Sequence, residues 1–216
     1  MWQRWKLCKN IKSRYRDSLV NNIMKKRRIT IILGHPDKET LLGAFANDYE
    51  KAARHSGYEV RRVNVGDLNF DPILHKGYKV VQDLEPDLCK LQEDIKWCDH
   101  LVIFYPMWWS TMPSILKGVF DRMWLPGFAF RFNKNGLGWK RLLKGRSARI
   151  VVGSNIPPII GRLIMGDTTN EIRKGILRFS GFSPIRKTLI GRMETMSERR
   201  KMKWKKKFES LGGRGV

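Results

Sequence analysis

A chain of 216 residues, 42% of them apolar, is long enough for one well-packed domain and too short for two of ordinary size. Its three cysteines, Cys8, Cys89 and Cys98, exclude a disulfide framework and match no zinc spacing, so no metal is expected and a reducing, cytoplasmic location is. The formal net charge of +23 gathers at the two ends of the chain and bears on partners rather than fold, and no apolar run approaches the roughly 20 residues that span a bilayer.

In chain order, residues 1–24 come first, as a basic extension expected to be disordered. The first 28 residues hold ten Lys or Arg against a single acid, Asp17. The stretch lacks the apolar core of a secretory signal and loosely resembles an organelle transit peptide. The simpler reading is an extension ahead of a start at Met24, with the folded domain over 25–212. Arg28 to Leu33 then reads as a first buried strand. Gly34 to Thr40 is a loop, and Leu41, Leu42, Phe45, Ala46 and Tyr49 recur at helical spacing up to a stop at Gly57. A strand, a loop and a helix start make an anion site, because first-turn N–H groups lack partners and the helix dipole favours negative charge. Thr40, at or near the N-cap, offers a hydroxyl to a phosphate, although capping alone explains a threonine there. His35 reads equally well as a loop histidine closing a strand end. Neither the P-loop pattern nor G-x-G-x-x-G is present, so a nucleotide would be held in another way.

Tyr58 to Val65 predicts a second strand. Asp67 to Pro72 is turn chemistry, with an irregular excursion through Glu85 and a helix from Pro86 to Trp97. The third strand, Leu101 to Tyr105, ends at Pro106, which has no N–H for a ladder. Pro113 suits the first turn of the next helix, which runs to Trp124. Between the two prolines lie Met107, Trp108, Trp109, Ser110, Thr111 and Met112. Backbone donors and flat apolar faces occur together there, as a planar polar-edged ring would need; ordinary core packing accounts for the tryptophans equally well. An aromatic loop (126–132) and a basic loop (133–146) precede a fourth strand, Ala148 to Val152. A loop, Gly153 to Pro158, follows it. Asp167 caps a helix through Ile172, Ile176 and Phe179 that Gly181 ends. Ile185 to Ile190 is the fifth strand, and a basic helix opens at Glu194 and reaches about Leu211. Alternation of strands and helices predicts an α/β, three-layer sandwich with a five-stranded, parallel, doubly wound sheet. The loops after strands one, three and four then converge on its carboxyl edge, the default place for a ligand.

Several of these segments together resemble the NAD(P)H:quinone oxidoreductase family, a branch of the flavodoxin-like flavoproteins. They are His35-Pro36 with Thr40, Pro106-Met107-Trp108-Trp109 with Pro113, Leu116 to Arg122, Pro126 to Phe130, Met165-Gly166-Asp167 and Ile176 to Phe182. The resemblance covers residues 28 to about 212. It implies a flavodoxin-like homodimer that holds a flavin, FAD or alternatively FMN, at the dimer interface. His35, Thr40, Leu41 and Leu42 would hold the phosphates and ribityl chain. Pro106, Met107, Trp108 and Trp109 would line the isoalloxazine, with backbone N–H groups near N5. Gly153, Ser154 and Asn155 would meet its pyrimidine edge. The implied activity is hydride transfer from NAD(P)H through the flavin to a quinone or similar small-molecule acceptor, in ping-pong order.

The chain departs from the family's pattern where Gly153-Ser154-Asn155-Ile156 replaces Thr-Thr-Gly-Gly. The substrate pocket carries Phe130, Phe132 and Met165 in place of two tyrosines and a histidine. That Tyr–His pair is the family's proton relay, so no catalytic side chain is assigned here. A second reading keeps the fold as a catalytically weakened binding protein that docks on nucleic acid or acidic partners through the basic termini. An anionic membrane surface is a further candidate partner. A one-electron flavodoxin carrier fits less well, since such carriers are acidic.

Overall fold

β1 (Arg28–Leu33) has a neighbour on each side, because its six residues are apolar on both faces except for Arg28 and the buried Thr30. Thr30 does not disturb the core, since its hydroxyl donates to the Asp94 carbonyl at 2.7 Å. The computed structural model describes residues 27–216, so the basic extension, Cys8 and the expected start at Met24 lie outside the described residues. β2 (Glu59–Asn64) pairs with one edge of β1, and β3 (His100–Pro106) pairs with the other. β6 (Ser147–Gly153) and β7 (Ile185–Ile190) continue outward from β3. All four pairings are parallel, and the spatial order is β2-β1-β3-β6-β7. This is the flavodoxin-like order, and its direction reverses between β1 and β3.

Two helical layers close the sheet, as the alternating pattern requires. On one face lie α1 (Leu41–His55) and α5 (Glu198–Gly213). Phe45, Tyr49 and Phe208 pack there on Phe104 and Val151. On the other face α2 (Pro86–Trp97), α3 (Ser114–Met123) and a π-helix (Glu171–Arg178) bury Leu88, Leu116, Val119 and Leu177. α1 starts where the sequence places it. Thr40 is extended, at φ −123°, and its Oγ1 accepts the Gly43 N–H at 3.1 Å. An N-cap of this kind contributes about 1 kcal/mol. Arg122, 1% exposed, anchors the irregular excursion: its guanidinium holds both Glu85 carboxylate oxygens at 3.0 Å and donates to the Asp71 and Asp83 carbonyls.

The structure differs from the sequence expectation in five places, the first being that the helix expected to be capped by Asp167 is the π-helix from Glu171, with Asn170 as its N-cap. The aromatic and basic loops contain a hairpin, β4 (Phe130–Phe132) with β5 (Trp139–Arg141), held by an Asn133 side chain that donates to the Leu137 carbonyl. A helix, α4 (Pro158–Met165), follows the double proline that reads as loop. Proline in fact suits a first helical turn. Pro113 precedes α3 as its cap instead of starting it. The last helix begins at Glu198, so Glu194 is left in the turn before it.

Candidate functional site

Three backbone bonds continue the sheet's ladder beyond its strands. Gly34 N–H donates to Phe104 O at 2.7 Å, Met107 N–H to Gly153 O at 2.7 Å, and Ser154 N–H to Ile190 O at 2.8 Å. The loops after β1, β3, β6 and β7 are therefore held side by side at the carboxyl edge. Between them lies a cleft of about 390 Å³ lined by His35, Thr40, Leu41, Leu42, Pro106, Met107, Trp108, Gly153, Ser154 and Asn155, with Met193 and Glu194. Every cofactor residue expected from the sequence lines it except Trp109. The cleft lies at the point where strand order reverses, where open α/β sheets bind ligands.

Each wall has its own chemistry. On the α1 side the Gly43 N–H is used by Thr40 Oγ1. The N–H groups of Leu41 and Leu42, in the first turn, have no acceptor within the helix and sit on the positive end of its dipole. Thr40 both caps and keeps its own hydroxyl proton, so the capping role and the anion role are compatible. His35 Nδ1 accepts the Asp37 N–H at 2.9 Å, which places the ring proton on Nε2. Its ring meets Trp108 edge-on, 5.5 Å between centroids.

The β3 wall carries a correction. Met107 N–H is spent on Gly153, and Trp108 N–H donates to Thr111 O at 2.9 Å. Neither is a free donor. Thr111 N–H returns to Trp108 O at 3.0 Å, closing a two-residue turn whose central residues, Trp109 and Ser110, have φ of +49° and +67°. Positive φ at both centres is the mirror-image hairpin turn, usually built from Asn and Gly. It leaves the N–H groups of Trp109 and Ser110 outside the turn's own pairing. A tryptophan and a serine held there store strain, as functional loops often do. The same turn throws the Trp109 side chain outward to 99% exposure, so within one chain it stacks on nothing.

A further residue not found from the sequence braces this loop. Glu171, in the first turn of the π-helix, accepts the Thr111 hydroxyl and, at 3.4 Å, the Met112 N–H. On the β6 wall, Asn155 Oδ1 accepts the Glu194 N–H at 3.1 Å, while Ser154 Oγ turns back to Ile156 O at 2.7 Å. Asn155 thus keeps its amide donors, and Ser154 spends its hydroxyl proton locally. A Cβ at Gly153 would meet the Leu42 side chain at 3.0–3.3 Å, so glycine sets the floor of the cleft. Met193 and Glu194 follow β7, and the carboxyl-edge rule that selected the other loops would have found them.

The expected substrate residues are not united in this cleft. Met165 Sδ accepts the Ser110 hydroxyl at 2.6 Å, beside the aromatic turn. Phe130 and Phe132 pack on each other, 5.1 Å between centroids, and Phe130 on Phe179, out on the hairpin. A small cavity of about 40 Å³ lies behind the β6 wall, against Met107, Ser154, Pro158 and Asp167.

Comparison with known proteins agrees with this geometry. The model of a family described as having a flavodoxin-like fold matches residues 27–212. An uncharacterized NAD(P)H oxidoreductase of Haemophilus influenzae is 27% identical over 176 residues, 78% of this chain and 86% of that protein. NAD(P)H dehydrogenase [quinone] 1 of Rattus norvegicus is 25% identical over 194 residues, 77% of this chain and 69% of the relative. The solved structure of Smu.1420 from Streptococcus mutans superposes with a TM-score of 0.72 at 26% identity, over 87% of this chain and 99% of the other. On strand order, cleft and family match together, this chain belongs to the flavodoxin-like fold family.

Proposed function

We propose that this chain is a flavin-dependent NAD(P)H oxidoreductase of quinone-reductase type. The observation that carries the reading is the meeting of the turns after Leu33, Pro106 and Gly153 in one cleft. The names of the Haemophilus and rat relatives point the same way. The residues present fit a flavin. Leu41 and Leu42 N–H, the Thr40 hydroxyl and His35 Nε2 form an anion cradle suited to its phosphate. Trp108 and Met107 give apolar faces for the ring, and Asn155 gives an amide for its polar edge.

The flavin, when bound, supplies two-electron chemistry as acceptor and donor of hydride. The chain's part is placement. The Trp109–Ser110 turn follows directly on the Met107 and Trp108 wall, so it fixes where that wall stands. Glu171 and Met165 hold that turn against the π-helix and α4. Trp108 and Met107 exclude water from one side of the cleft. A single cleft shared by NAD(P)H and a small-molecule acceptor makes donor and acceptor enter in turn, which is ping-pong order.

The flavin is FAD on this reading. A polar hollow of about 360 Å³, with Lys38, Asn47, Arg62 and Asn64 in its wall, adjoins the cleft at Thr40 and offers room for an adenosine phosphate. The active form is a homodimer. Trp109, Ile159, Leu163 and Ile164 are all more than 70% exposed around the aromatic turn and α4, an apolar surface suited to a second copy. Free thiols at Cys89 and Cys98 fit a cytoplasmic enzyme, and no helix among the described residues is long and apolar enough to cross a membrane. The binding-protein alternative is not favoured, because the cleft keeps its donors and its apolar walls.

The test is direct. Purified chain should be yellow, should release FAD on heating as read by mass spectrometry, and should oxidise NAD(P)H only when a quinone is supplied. A colourless chain that takes up no added flavin overturns the proposal, and release of FMN overturns the FAD assignment alone.

A further inference from the structure

The inner strands of a parallel sheet are buried on both faces and read as continuous apolar runs. At the opposite, amino edge of this sheet, the inner strands β3 and β6 break that rule on one face, beside the edge strand β7. His100 of β3 is in register with Ser147 of β6, and two residues further along, Arg149 of β6 is in register with Arg186 of β7. Like charges directly opposite across strands repel. Arg149 is also only 7% exposed, and its sole hydrogen bond is from Nη1 to Thr188 Oγ1 at 2.9 Å. Among the described residues no carboxylate lies within ion-pair distance of Arg27, Arg149 or Arg186. Asp99, on the same amino edge, is gripped by Arg28 through both oxygens, at 2.8 and 3.2 Å. A buried cation without a counter-charge is costly, so the arrangement calls for one.

The neighbouring donors are unspent as well. Arg27 Nη2 donates to Ser147 Oγ at 2.8 Å, and Ser147 Oγ lies 2.8 Å from His100 Nδ1. With the hydroxyl proton directed to Nδ1, the imidazole proton sits on Nε2. His100 is 2% exposed, and its Nε2 has no partner; neither does Arg149 Nε. Burial, then the charges of Arg27, Arg149 and Arg186, push the His100 imidazole down to about 3, so it is a neutral N–H donor at physiological pH. A hollow of about 370 Å³ opens here, with Arg27, His100, Ser147 and Arg186 in its wall, and Asp99 and Val216 in it as well.

We propose that this hollow is a second ligand site, remote from the flavin cleft, that binds a tetrahedral oxyanion of the phosphate class between Arg27, Arg186 and the His100–Ser147 pair. The bound anion bridges Arg27 and Arg186 and accepts a hydrogen bond from His100 Nε2. Two sources share this chemistry, free phosphate and the backbone of a nucleic acid, which the basic helix α5 on the same sheet face would also attract.

The experiment uses the full chain with its cofactor. The four histidine imidazoles are followed by long-range ¹H–¹⁵N correlation, and the His100 signal is identified by its loss in His100→Gln. Inorganic phosphate is titrated at constant ionic strength against chloride. The expected result is a saturable shift confined to His100, with the dissociation constant raised at least tenfold in Arg186→Gln, an exposed position where folding is not at risk, and partly restored in Arg186→Lys. A shift that follows ionic strength alone, or is unchanged in Arg186→Gln, overturns the site. A short single-stranded oligonucleotide is the second arm. Saturation by it at lower phosphate-group concentration assigns the site to a nucleic-acid backbone, and saturation by free phosphate first assigns it to a small anion; response to neither overturns the site.

Discussion

Met107 N–H donates to Gly153 O at 2.7 Å, one step beyond the last paired residues of β3 and β6. That bond makes the two principal loops of the cleft a continuation of the sheet instead of independent excursions. The cleft is therefore as rigid as the strands under it along that seam. Of this chain's departures from the family's pattern, Gly153–Ile156 lies at the seam, whereas Phe130 and Phe132 lie on the hairpin and Met165 in α4.

Gly66 supports the first of those turns from below. A methyl group at Gly66 would overlap the Pro36 carbonyl oxygen, a backbone atom that cannot rotate away. Gly66→Ala must displace the His35–Pro36 turn, at a cost of about 1–3 kcal/mol, as overpacking does. Flavin retention should fall with it. Chemical denaturation and dialysis against buffer check both, and a variant that keeps its colour while losing stability would separate Gly66 from the site.

Thr40 has two roles that substitution can divide. Thr40→Ala removes the acceptor for the Gly43 N–H and should cost about 1 kcal/mol of stability. It also removes one donor to the phosphate, so flavin affinity drops as well. Thr40→Ser keeps both functions. Equal flavin affinity in the alanine and serine variants would leave Thr40 a cap and nothing more.

The sheet was legible in the sequence because both signals that define it are local. Apolar runs such as Ile29–Leu33 and Leu101–Tyr105 allow only buried strands, and Thr40 and Gly57 bound the first helix by their own chemistry. Ten of the eleven cofactor residues that the family resemblance implied line the cleft, and the convergence of their loops followed from the carboxyl-edge rule, which needs only strand ends. What failed depends on contacts distant in sequence. Glu171 matters because it reaches Thr111, sixty positions away, and no periodicity records that. α4 was hidden because its apolar residues face outward, so no polar face marks it as a helix. Trp109 stands outside the cleft of one chain because its orientation depends on two positive φ angles, which tryptophan and serine do not advertise.

The aromatic turn yields a pair of expectations. Ser110→Gly relieves a positive φ worth about 0.5–1 kcal/mol but gives up the hydroxyl's bond to Met165, of similar size, so the melting temperature should stay nearly unchanged. Trp109→Ala removes a side chain that contacts nothing within its own chain, so the unfolding free energy of the separated chain should change by less than about 0.5 kcal/mol. On the dimer reading its effect appears only in association. Sedimentation at several protein concentrations should show a weaker dimer, and flavin retention should fall in proportion. Loss of flavin with association unchanged would mean that Trp109 reaches the ring within one chain.

Asp167 sets the acid limit of the π-helix. Its Oδ1 accepts the Thr169 N–H and hydroxyl at 3.2 and 2.6 Å, and its Oδ2 accepts Arg173 and Lys187 at 3.1 and 2.9 Å. Burial alone would raise this carboxyl, but the bonds from Thr169 and Lys187 outweigh it and hold the group well below the usual carboxylate range. A depressed folded value means that the stabilisation is complete above the unfolded value of about 4 and is lost as pH falls below it. Wild-type stability should therefore decline between about pH 5 and 2, and Asp167→Asn should be less stable at pH 7 with a shallower acid slope. Urea titrations across that range measure it, and parallel slopes would remove Asp167 from the account. The consequence reaches the cleft, because Lys187 ties the start of the π-helix to β7 and Glu171 in the same turn holds Thr111. Flavin should then leave the wild-type protein at a higher pH than the one at which the sheet unfolds, and in Asp167→Asn, which cannot titrate, flavin should be held more weakly already at pH 7 with that separate acid step gone.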